Sequence, residues 1–212
     1  MKKTSSALMI AASLSILPAC GIEETNTPEL QGSEAPASSD LGQTGSALSV
    51  GSYSVNLSAH GGSGGAASSK ECPANYVAVG IHGSAGDIVV SLGLVCRYLN
   101  NDGTLGAWYY TSATTGAYTV TPFNIQCPAG QVVVGFHGHN NNFLDSLGLS
   151  CATPNNWMSG SGVEFSTVKV GGTGGGYEFS DLCPPQYVVR KLNLRSWDLI
   201  DQAQAVCNSL MW

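Results

Sequence analysis

The sequence predicts an all-β domain built from three internal repeats of antiparallel sheet around a pseudo-threefold axis. Six cysteines stand in three pairs, with a separation of 24 residues within each pair, and the pairs begin at intervals of 55 and 56 residues. Between the cysteines of a pair, alternating apolar residues lie on both sides of a polar segment, which is typical of a half-buried β-hairpin. No stretch with convincing helical periodicity interrupts this pattern.

The chain begins with the features of an export signal. A short basic start precedes an apolar run at 7–17, which is too short to span a bilayer. The residues Leu-Pro-Ala-Cys at 17–20 resemble the lipobox of bacterial lipoproteins, which implies a signal peptide at 1–19 and acylation of Cys20. An ordinary secretory signal is the alternative. We expect localisation to the bacterial cell envelope as an outer-membrane lipoprotein, because Gly21 resembles the sorting signal of enteric bacteria.

The segment that follows, 20–47, is rich in Gly, Ser, Thr and Pro and carries five acidic residues without a basic one. Such a composition cannot bury enough apolar surface to offset its chain entropy. We therefore expect a flexible acidic tether that starts at the lipidated Cys20, although a loop packed on the domain is an alternative. The remaining domain, 48–212, contains nine acidic and six basic residues. Its lack of a basic patch argues against nucleic-acid partners and leaves the lipid anchor as the expected membrane contact.

Export makes disulfides chemically possible, and six cysteines allow fifteen pairings. The repeat favours pairing within each copy, and a bridge of this kind contributes about 3 kcal/mol to stability. The three copies occupy about 48–110, 111–166 and 167–212, and each opens with Cys-Pro. The predicted pairs are Cys72–Cys96, Cys127–Cys151 and Cys183–Cys207.

The alternation within each copy predicts which side chains face inward. In the first copy Val77, Val79 and Ile81 alternate on one strand, and Leu92 and Leu94 alternate on the other. The inward residues of the first strand are an odd number of positions from Cys72, whereas those of the second strand are an even number of positions from Cys96. In a regular ladder the two sulfurs would then lie on different faces. A bulge or turn at Cys-Pro is the expected remedy, since proline cannot donate to the ladder.

Glycine-rich segments precede two of the cysteine pairs, at 60–65 and at 170–179. With the Cys-Pro openings and the threefold plan, they resemble the β-prism I fold of the vitelline membrane outer layer protein and the jacalin-related lectins. In those lectins sugar hydroxyls are held between a glycine-rich loop and a Gly-x-x-x-Asp loop of the same repeat. The acidic position is matched by Asp145 and Asp201, and the first copy has Gly86 without the acid.

The resemblance implies carbohydrate binding at the hairpin tips. A carboxylate accepts hydrogen bonds from two hydroxyls, glycine N–H groups donate to ring oxygens, and an aromatic ring covers the apolar face of a pyranose. The alternative is that both aspartates cap their turns through backbone N–H groups. The predicted binding residues are Asn142, Phe143, Asp145, Gly172, Gly174, Trp197, Asp198 and Asp201.

Catalytic and metal sites are not expected. His82 and His137 stand at equivalent places and favour a turn hydrogen bond, and His137 with His139 is too short a signal to predict a zinc or copper site. An acid pair for glycoside hydrolysis would need Asp145 and Asp201, which belong to different copies. We therefore predict a lectin-like module without catalysis or cofactor, whose partner is a glycan. The alternative is a disulfide-stapled structural lipoprotein that binds an envelope or surface protein.

Overall fold

The computed structural model describes residues 47–117 and 120–212. The predicted signal peptide, Cys20 and the tether up to residue 46 lie outside the described residues. Across the described ranges, no helix has the length and apolar character needed to cross a bilayer. In chain order the elements are β1 (Ser49–Gly61), β2 (Ala66–Glu71), β3 (Tyr76–Ala85), β4 (Val89–Leu99), β5 (Leu105–Thr111), β6 (Thr121–Gln126), β7 (Val132–Asn140), β8 (Leu144–Ala152), α1 (Pro154–Met158), β9 (Phe165–Ser166), β10 (Val170–Gly171), β11 (Tyr177–Leu182), β12 (Tyr187–Ser196) and β13 (Ile200–Met211).

The strands form three antiparallel sheets. The first sheet has the order β5-β4-β3-β6, and the second has the order β10-β8-β7-β11, with β9 also paired to β8. The third sheet has the order β1-β13-β12-β2. Each sheet therefore has one cysteine hairpin at its centre, and β3, β7 and β12 contact one another around a common axis. The predicted all-β architecture with three sheets around a pseudo-threefold axis is confirmed.

The third sheet is completed by strands that come from before the first cysteine pair. β1 pairs with β13, and β2 pairs with β12. The first sheet occupies 76–126 and the second 132–182, whereas the third combines 49–71 with 187–211. The sequence repeats at 48–110, 111–166 and 167–212 therefore contain one hairpin each. The boundaries of the sheets differ from those of the repeats, because some flanking strands come from a neighbouring repeat.

All three predicted disulfides are present. The Cα atoms of Cys72 and Cys96 are 5.8 Å apart, and the corresponding distances are 5.7 Å and 5.8 Å in the second and third hairpins. The second cysteine of each pair is fully buried. The equivalent buried core positions are Ala78, Ile81, Leu92 and Leu94 in the first hairpin, Val133, Phe136, Leu147 and Leu149 in the second, and Val189, Leu192, Ala203 and Ala205 in the third.

A β-bulge in the first strand of each hairpin resolves the parity conflict. In β3 the register shifts between Ala78 and Gly80, so that Ala78 faces Cys96 while Ile81 faces Leu94. Equivalent shifts occur in β7 and β12. The Cys-Pro segments form the expected turns, but the bulge lies seven residues beyond the cysteine. The prediction that Val77, Val79 and Ile81 share one face is therefore wrong, because the extra residue reverses the alternation.

The bulged residues also join the three sheets in a ring. The backbone N–H of Cys127 donates to the carbonyl of Val79 at 2.8 Å, and that of Cys183 donates to Val134 at 2.8 Å. The ring closes where Cys72 N–H donates to the carbonyl of Arg190 at 2.9 Å. A bulge leaves a carbonyl without a ladder partner, and here the cysteine that opens another hairpin satisfies it.

Removing one disulfide tests how much it contributes to the stability of the fold. We expect the double substitution Cys127→Ala/Cys151→Ala to lower the free energy of unfolding by about 3 kcal/mol, because the bridge restricts the unfolded chain. The equivalent double substitutions of the other two pairs close loops of the same length and serve as matched controls. Chemical denaturation measures the losses. A loss confined to one of the three pairs would contradict the equivalence of the hairpins.

Candidate functional site

The two aspartates of interest occupy equivalent places at the tip end of the prism, opposite the base end where the cystines lie. Asp145 is the second residue of β8 and Asp201 is the second residue of β13. Both are largely buried, with 9% and 8% of their surface exposed. The equivalent residue of the first sheet is the buried Val90, so this sheet has no carboxylate there. Two of the three hairpins therefore present an acidic group.

A glycine loop folds over each of these carboxylates. Gly61 and Gly171 have φ angles of +110° and +96°, which side-chain-bearing residues rarely adopt, and each packs against the backbone carbonyl of its aspartate. Beyond them, the loop at 62–65 lies against Asp201, and the loop at 172–176 lies against Asp145. We refer to Asp201 with 61–65 as the Asp201 site, and to Asp145 with 171–176 as the Asp145 site.

The glycine loops are displaced by one copy from the arrangement that the resemblance implied. Gly172 and Gly174 were expected to act within the third copy, but their loop serves Asp145 of the second hairpin. The loop at 61–65 precedes the first cysteine pair and serves Asp201 of the third. Each glycine loop therefore lies outside the hairpin whose aspartate it covers: the loop at 171–176 follows the second hairpin, and the loop at 61–65 precedes the first.

The surroundings of Asp145 disfavour the ionised form of its carboxyl group. Burial raises the pKa of Asp145, although the nearby His139 and a hydrogen bond from the Asn141 backbone act in the opposite direction. Within the described residues, its buried Oδ2 atom has no hydrogen-bond partner, and it lies where a side chain on Gly175 would have to be. A hydroxyl that donated to this oxygen would remove the deficit, provided that the glycine loop moved aside.

Asp201 has a different set of contacts. Its Oδ2 accepts the Trp197 backbone N–H at 3.1 Å, so one oxygen caps the turn as the alternative interpretation expected. The other oxygen, Oδ1, lies beside Gly64. Asp201 therefore caps the turn with Oδ2, while Oδ1 lies at the glycine loop.

Arg195 holds the glycine loop of the Asp201 site in place. Its Nε atom donates to the carbonyls of Ser63 and Gly64 at 3.0 and 2.8 Å, and its Nη2 donates to Gly65 at 2.9 Å. A trans peptide has its C=O and N–H on opposite sides, so the N–H groups of Gly64 and Gly65 face away from Arg195. Neither N–H has a hydrogen-bond partner within the described part of the chain. The loop thus presents free donors next to a carboxylate.

The Asp145 site lacks an equivalent brace. His139 stands at the position of Arg195, and its Nδ1 lies 3.3 Å from Ser146 Oγ and 3.3 Å from Lys169 Nζ instead of reaching the loop. The loop is also one residue longer between its first glycine and the following strand. The two sites are therefore chemically related but differ in how firmly the loop is fixed.

The other predicted site residues lie around these two carboxylates. Phe143 and Trp197 are exposed, with 36% and 71% of their surface accessible. Asn142 and Asp198 use their backbone carbonyls to bind the neighbouring sheet, which they reach at Gly62 N–H (3.2 Å) and Ala117 N–H. Gly172 packs against Asp87 of the first tip, whereas Gly174 faces open space. Gly64, Gly65, Gly175 and Arg195 were not predicted.

The histidines are part of the sheet structure. His82 Nε2 lies 2.9 Å from the Ser112 carbonyl and its ring packs over Gly93, while His137 packs over Gly148. Burial lowers the pKa of His137, and the charge on Lys169 lowers it further. No group of three histidine, cysteine or carboxylate side chains within 47–117 and 120–212 is placed to hold a metal ion.

Three antiparallel sheets around a common axis, with glycine loops over the hairpin tips, define the β-prism I fold, as the resemblance implied. A Malaysian banana lectin structure superposes with a TM-score of 0.54 at 15% identity, covering 74% of this chain and 99% of that one. A mannose-specific jacalin-related lectin from Morus nigra, solved with mannose, gives a TM-score of 0.55 at 15% identity, over 74% and 96% of the two chains. Artocarpin, a lectin with mannose specificity, gives 0.53 at 13% identity, over 74% and 99%. No family model matches the chain, and no curated protein sequence does.

The buried carboxylate of Asp145 leads to a prediction about stability. Because the folded state raises its pKa, the ionised form is disfavoured on folding, and stability is lost as the pH rises through the folded-state pKa. Asp145→Asn removes this charge and should stabilise the protein at neutral pH. The gain should shrink as the pH falls below the pKa of Asp145. Thermal unfolding across acidic and neutral pH measures it.

Asp201→Asn is the matched control for that experiment, because within the described residues the buried carboxylate oxygen without a hydrogen-bond partner belongs to Asp145 and not to Asp201. A stabilising effect of equal size in both variants, or a gain in Asp145→Asn that did not depend on pH, would contradict the explanation given for Asp145.

Substituting Arg195 tests whether it fixes the loop. Arg195→Gln should speed amide hydrogen exchange at Gly62, whose N–H donates to the Asp201 carbonyl at 2.9 Å, because the loop that follows Gly62 loses the donor to three of its carbonyls. The loop at 171–176 provides an internal control and should exchange as in the parent. Equal acceleration in both loops would point to general destabilisation and against a local brace.

Proposed function

We propose that this protein is a carbohydrate-binding, lectin-like module that holds glycans at the Asp145 and Asp201 sites without catalysis. The observation that carries the proposal is the pairing of a largely buried carboxylate with a glycine loop at two equivalent tips. Hydroxyl groups of a sugar both donate and accept hydrogen bonds, so they need an acceptor and a donor close together. The solved lectins with the same fold include mannose-specific proteins, which supports a hexose as the ligand.

The Asp201 site provides both halves of this chemistry. Its carboxylate accepts from one hydroxyl, and the N–H groups of Gly64 and Gly65 donate to a neighbouring oxygen. Trp197 stands beside the carboxylate on the exposed tip, where its ring can cover the apolar face of a pyranose. At the Asp145 site Phe143 has the corresponding exposed aromatic role. This arrangement favours neutral sugars with adjacent hydroxyls.

The two sites favour a ligand with repeated sugars. They lie at the same end of one domain, and the backbone hydrogen bond from Gly62 to Asn142 joins the loop of one site to the tip of the other. When two sites act on a surface that displays many glycans, binding at the second becomes effectively intramolecular and the overall affinity rises. Weak binding of single sugars at each site is therefore compatible with firm attachment to a glycan layer.

Envelope anchoring through Cys20 remains part of the proposal, and the domain suits it. The described chain starts at the base end, where Leu48 N–H donates to the Asn101 carbonyl at 2.8 Å. From there β1 runs to Gly61 in the Asp201 site, a path of roughly 40 Å at the usual rise of a strand. The residue at which the proposed tether joins the domain is thus separated from the Asp201 site by the length of β1.

The second candidate is a structural or protein-binding lipoprotein. It is favoured by the tips themselves, because Asn142 and Asp198 use their backbone carbonyls to bind neighbouring sheets and Asp201 caps its turn. In that case the glycine loops serve close packing alone. An envelope protein that copurified with the domain and stayed bound in excess sugar would support this candidate.

Glycan-array binding followed by titration calorimetry tests the proposal. The parent should bind neutral hexose-containing glycans, and Asp145→Ala and Asp201→Ala should each weaken binding to multivalent glycans by removing both acceptor oxygens of the carboxylate. The double variant should lose tip binding, with a cost of about 2 kcal/mol or more at each site. Asp87→Ala is a matched control, since it removes an exposed carboxylate from the first tip, outside both sites. A parent that bound no glycan above background would overturn the proposal.

A further inference from the structure

A pocket lies at the base end of the first sheet, far from the tip sites. It has a volume of about 150 Å³ and lies between the edge strand β5 and the Cys-Pro turn of the second hairpin. A larger open groove continues from it toward α1 and shares three of its lining residues, Arg97, Leu105 and Gly130. The side chains used below are Arg97, Tyr109, Gln126 and Gln131 in the pocket, with Asn155 and Asn156 in the groove.

One wall of the pocket is an aromatic ring held in a fixed orientation. The guanidinium carbon of Arg97 lies 4.8 Å from the centre of the Tyr109 ring. Arg97 is itself held, because its Nε donates to the Gly106 carbonyl at 2.7 Å and its Nη2 donates to Leu105 at 3.4 Å. Tyr109 remains 56% exposed, so the stack leaves ring surface free for a ligand. Holding the ring before binding reduces the entropy lost on binding.

The opposite wall carries neutral amides. Gln131 donates from Nε2 to Glu164 at 2.9 Å, which fixes the side chain, and its buried Oε1 has no hydrogen-bond partner in the part of the chain that the structure describes. Gln126 donates to Asn124 at 3.0 Å. Asn156 also donates to Glu164. The charged groups of the pocket are therefore occupied with backbone carbonyls and amides, and what remains for a ligand is a ring and neutral polar groups.

This combination occurs in the first sheet alone among the three. The positions equivalent to Arg97 are Ala152 in the second sheet and Asn208 in the third. Since all three sheets have the same hairpin, the fold does not require an arginine and a tyrosine there. The first sheet is also the one whose tip has Val90 in place of the carboxylate. The first sheet, which has Val90 at the position of Asp145 and Asp201, therefore has a pocket at its base end.

We propose that this pocket binds a neutral pyranose within an oligosaccharide chain, with the sugar ring against Tyr109 and its hydroxyls toward Gln131 and Gln126. The adjacent groove, with Asn155 and Asn156, receives the next sugar. An aromatic face covers the C–H groups of a pyranose, while amides donate and accept with its hydroxyls. This inference goes beyond the tip sites and does not depend on them. A glycan held at the base would leave both tips available for other glycans.

The experiment uses the double variant Asp145→Ala/Asp201→Ala, in which the side-chain acceptors of both tip sites are absent. Neutral trisaccharides of glucose, mannose, galactose and N-acetylglucosamine are titrated separately while backbone and side-chain amide NMR signals are followed. At least one trisaccharide should cause saturable shifts at Arg97, Gln126 and Gln131. Adding Tyr109→Ala should weaken this binding about tenfold, which corresponds to about 1.4 kcal/mol.

Two further variants separate ring stacking from general damage. Tyr109→Phe keeps the ring and should retain binding, and Tyr177→Ala removes a still more exposed tyrosine from β11 and should leave the binding unchanged. Shifts that survived Tyr109→Ala, or the absence of shifts near Arg97 with every trisaccharide, would overturn the inference. Attachment of a polypeptide to this pocket in place of any glycan would overturn it as well. Binding by the parent that vanished completely in the double variant would leave the tip function standing alone.

Discussion

The bulged residue in each hairpin is the constraint on which the rest of the structure depends. Without the extra residue, Ile81 would lie on the opposite face of its hairpin from Ala78 and from the second cysteine, Cys96. The same residue offers the carbonyl that receives the opening cysteine of another hairpin. A single insertion therefore determines both how a hairpin is closed and where the adjoining one begins. Because this happens three times, the sheets are joined in a ring with no free end.

Much of the architecture was readable from spacing because it depends on local features. The separation of 24 residues within each cysteine pair predicted the disulfides, and the polar segments between them predicted the hairpin tips. The face assignment of Val77 failed because alternation gives no sign of where an extra residue is inserted. The placement of the glycine loops failed for a different reason: it depends on strands that pair across most of the chain, and local patterns do not record such pairing.

The candidate sites also contain some residues that local sequence patterns identify and others that depend on distant contacts. Asp145 and Asp201 could be found from their position before the second cysteine, since a hairpin brings its own residues together. Arg195 could not, because its partners at 63–65 are more than a hundred residues away in sequence. The differences among the three tips are also informative. One has lost its carboxylate, one keeps it with an unpartnered oxygen, and one has a loop held by arginine, so the copies have diverged at the tips while keeping the core.

The third sheet has a consequence for how the molecule is made. Its strand β1 leaves the ribosome first among the strands described, yet its partner β13 is the last of them. The other two sheets are each continuous in sequence and can assemble while synthesis or export is still under way. β1 must wait as an unpaired, thirteen-residue strand, and such edges invite association with other chains. A permuted chain that began at Cys72 and carried β1 and β2 after β13 would make all three sheets continuous and would shorten that period of exposure.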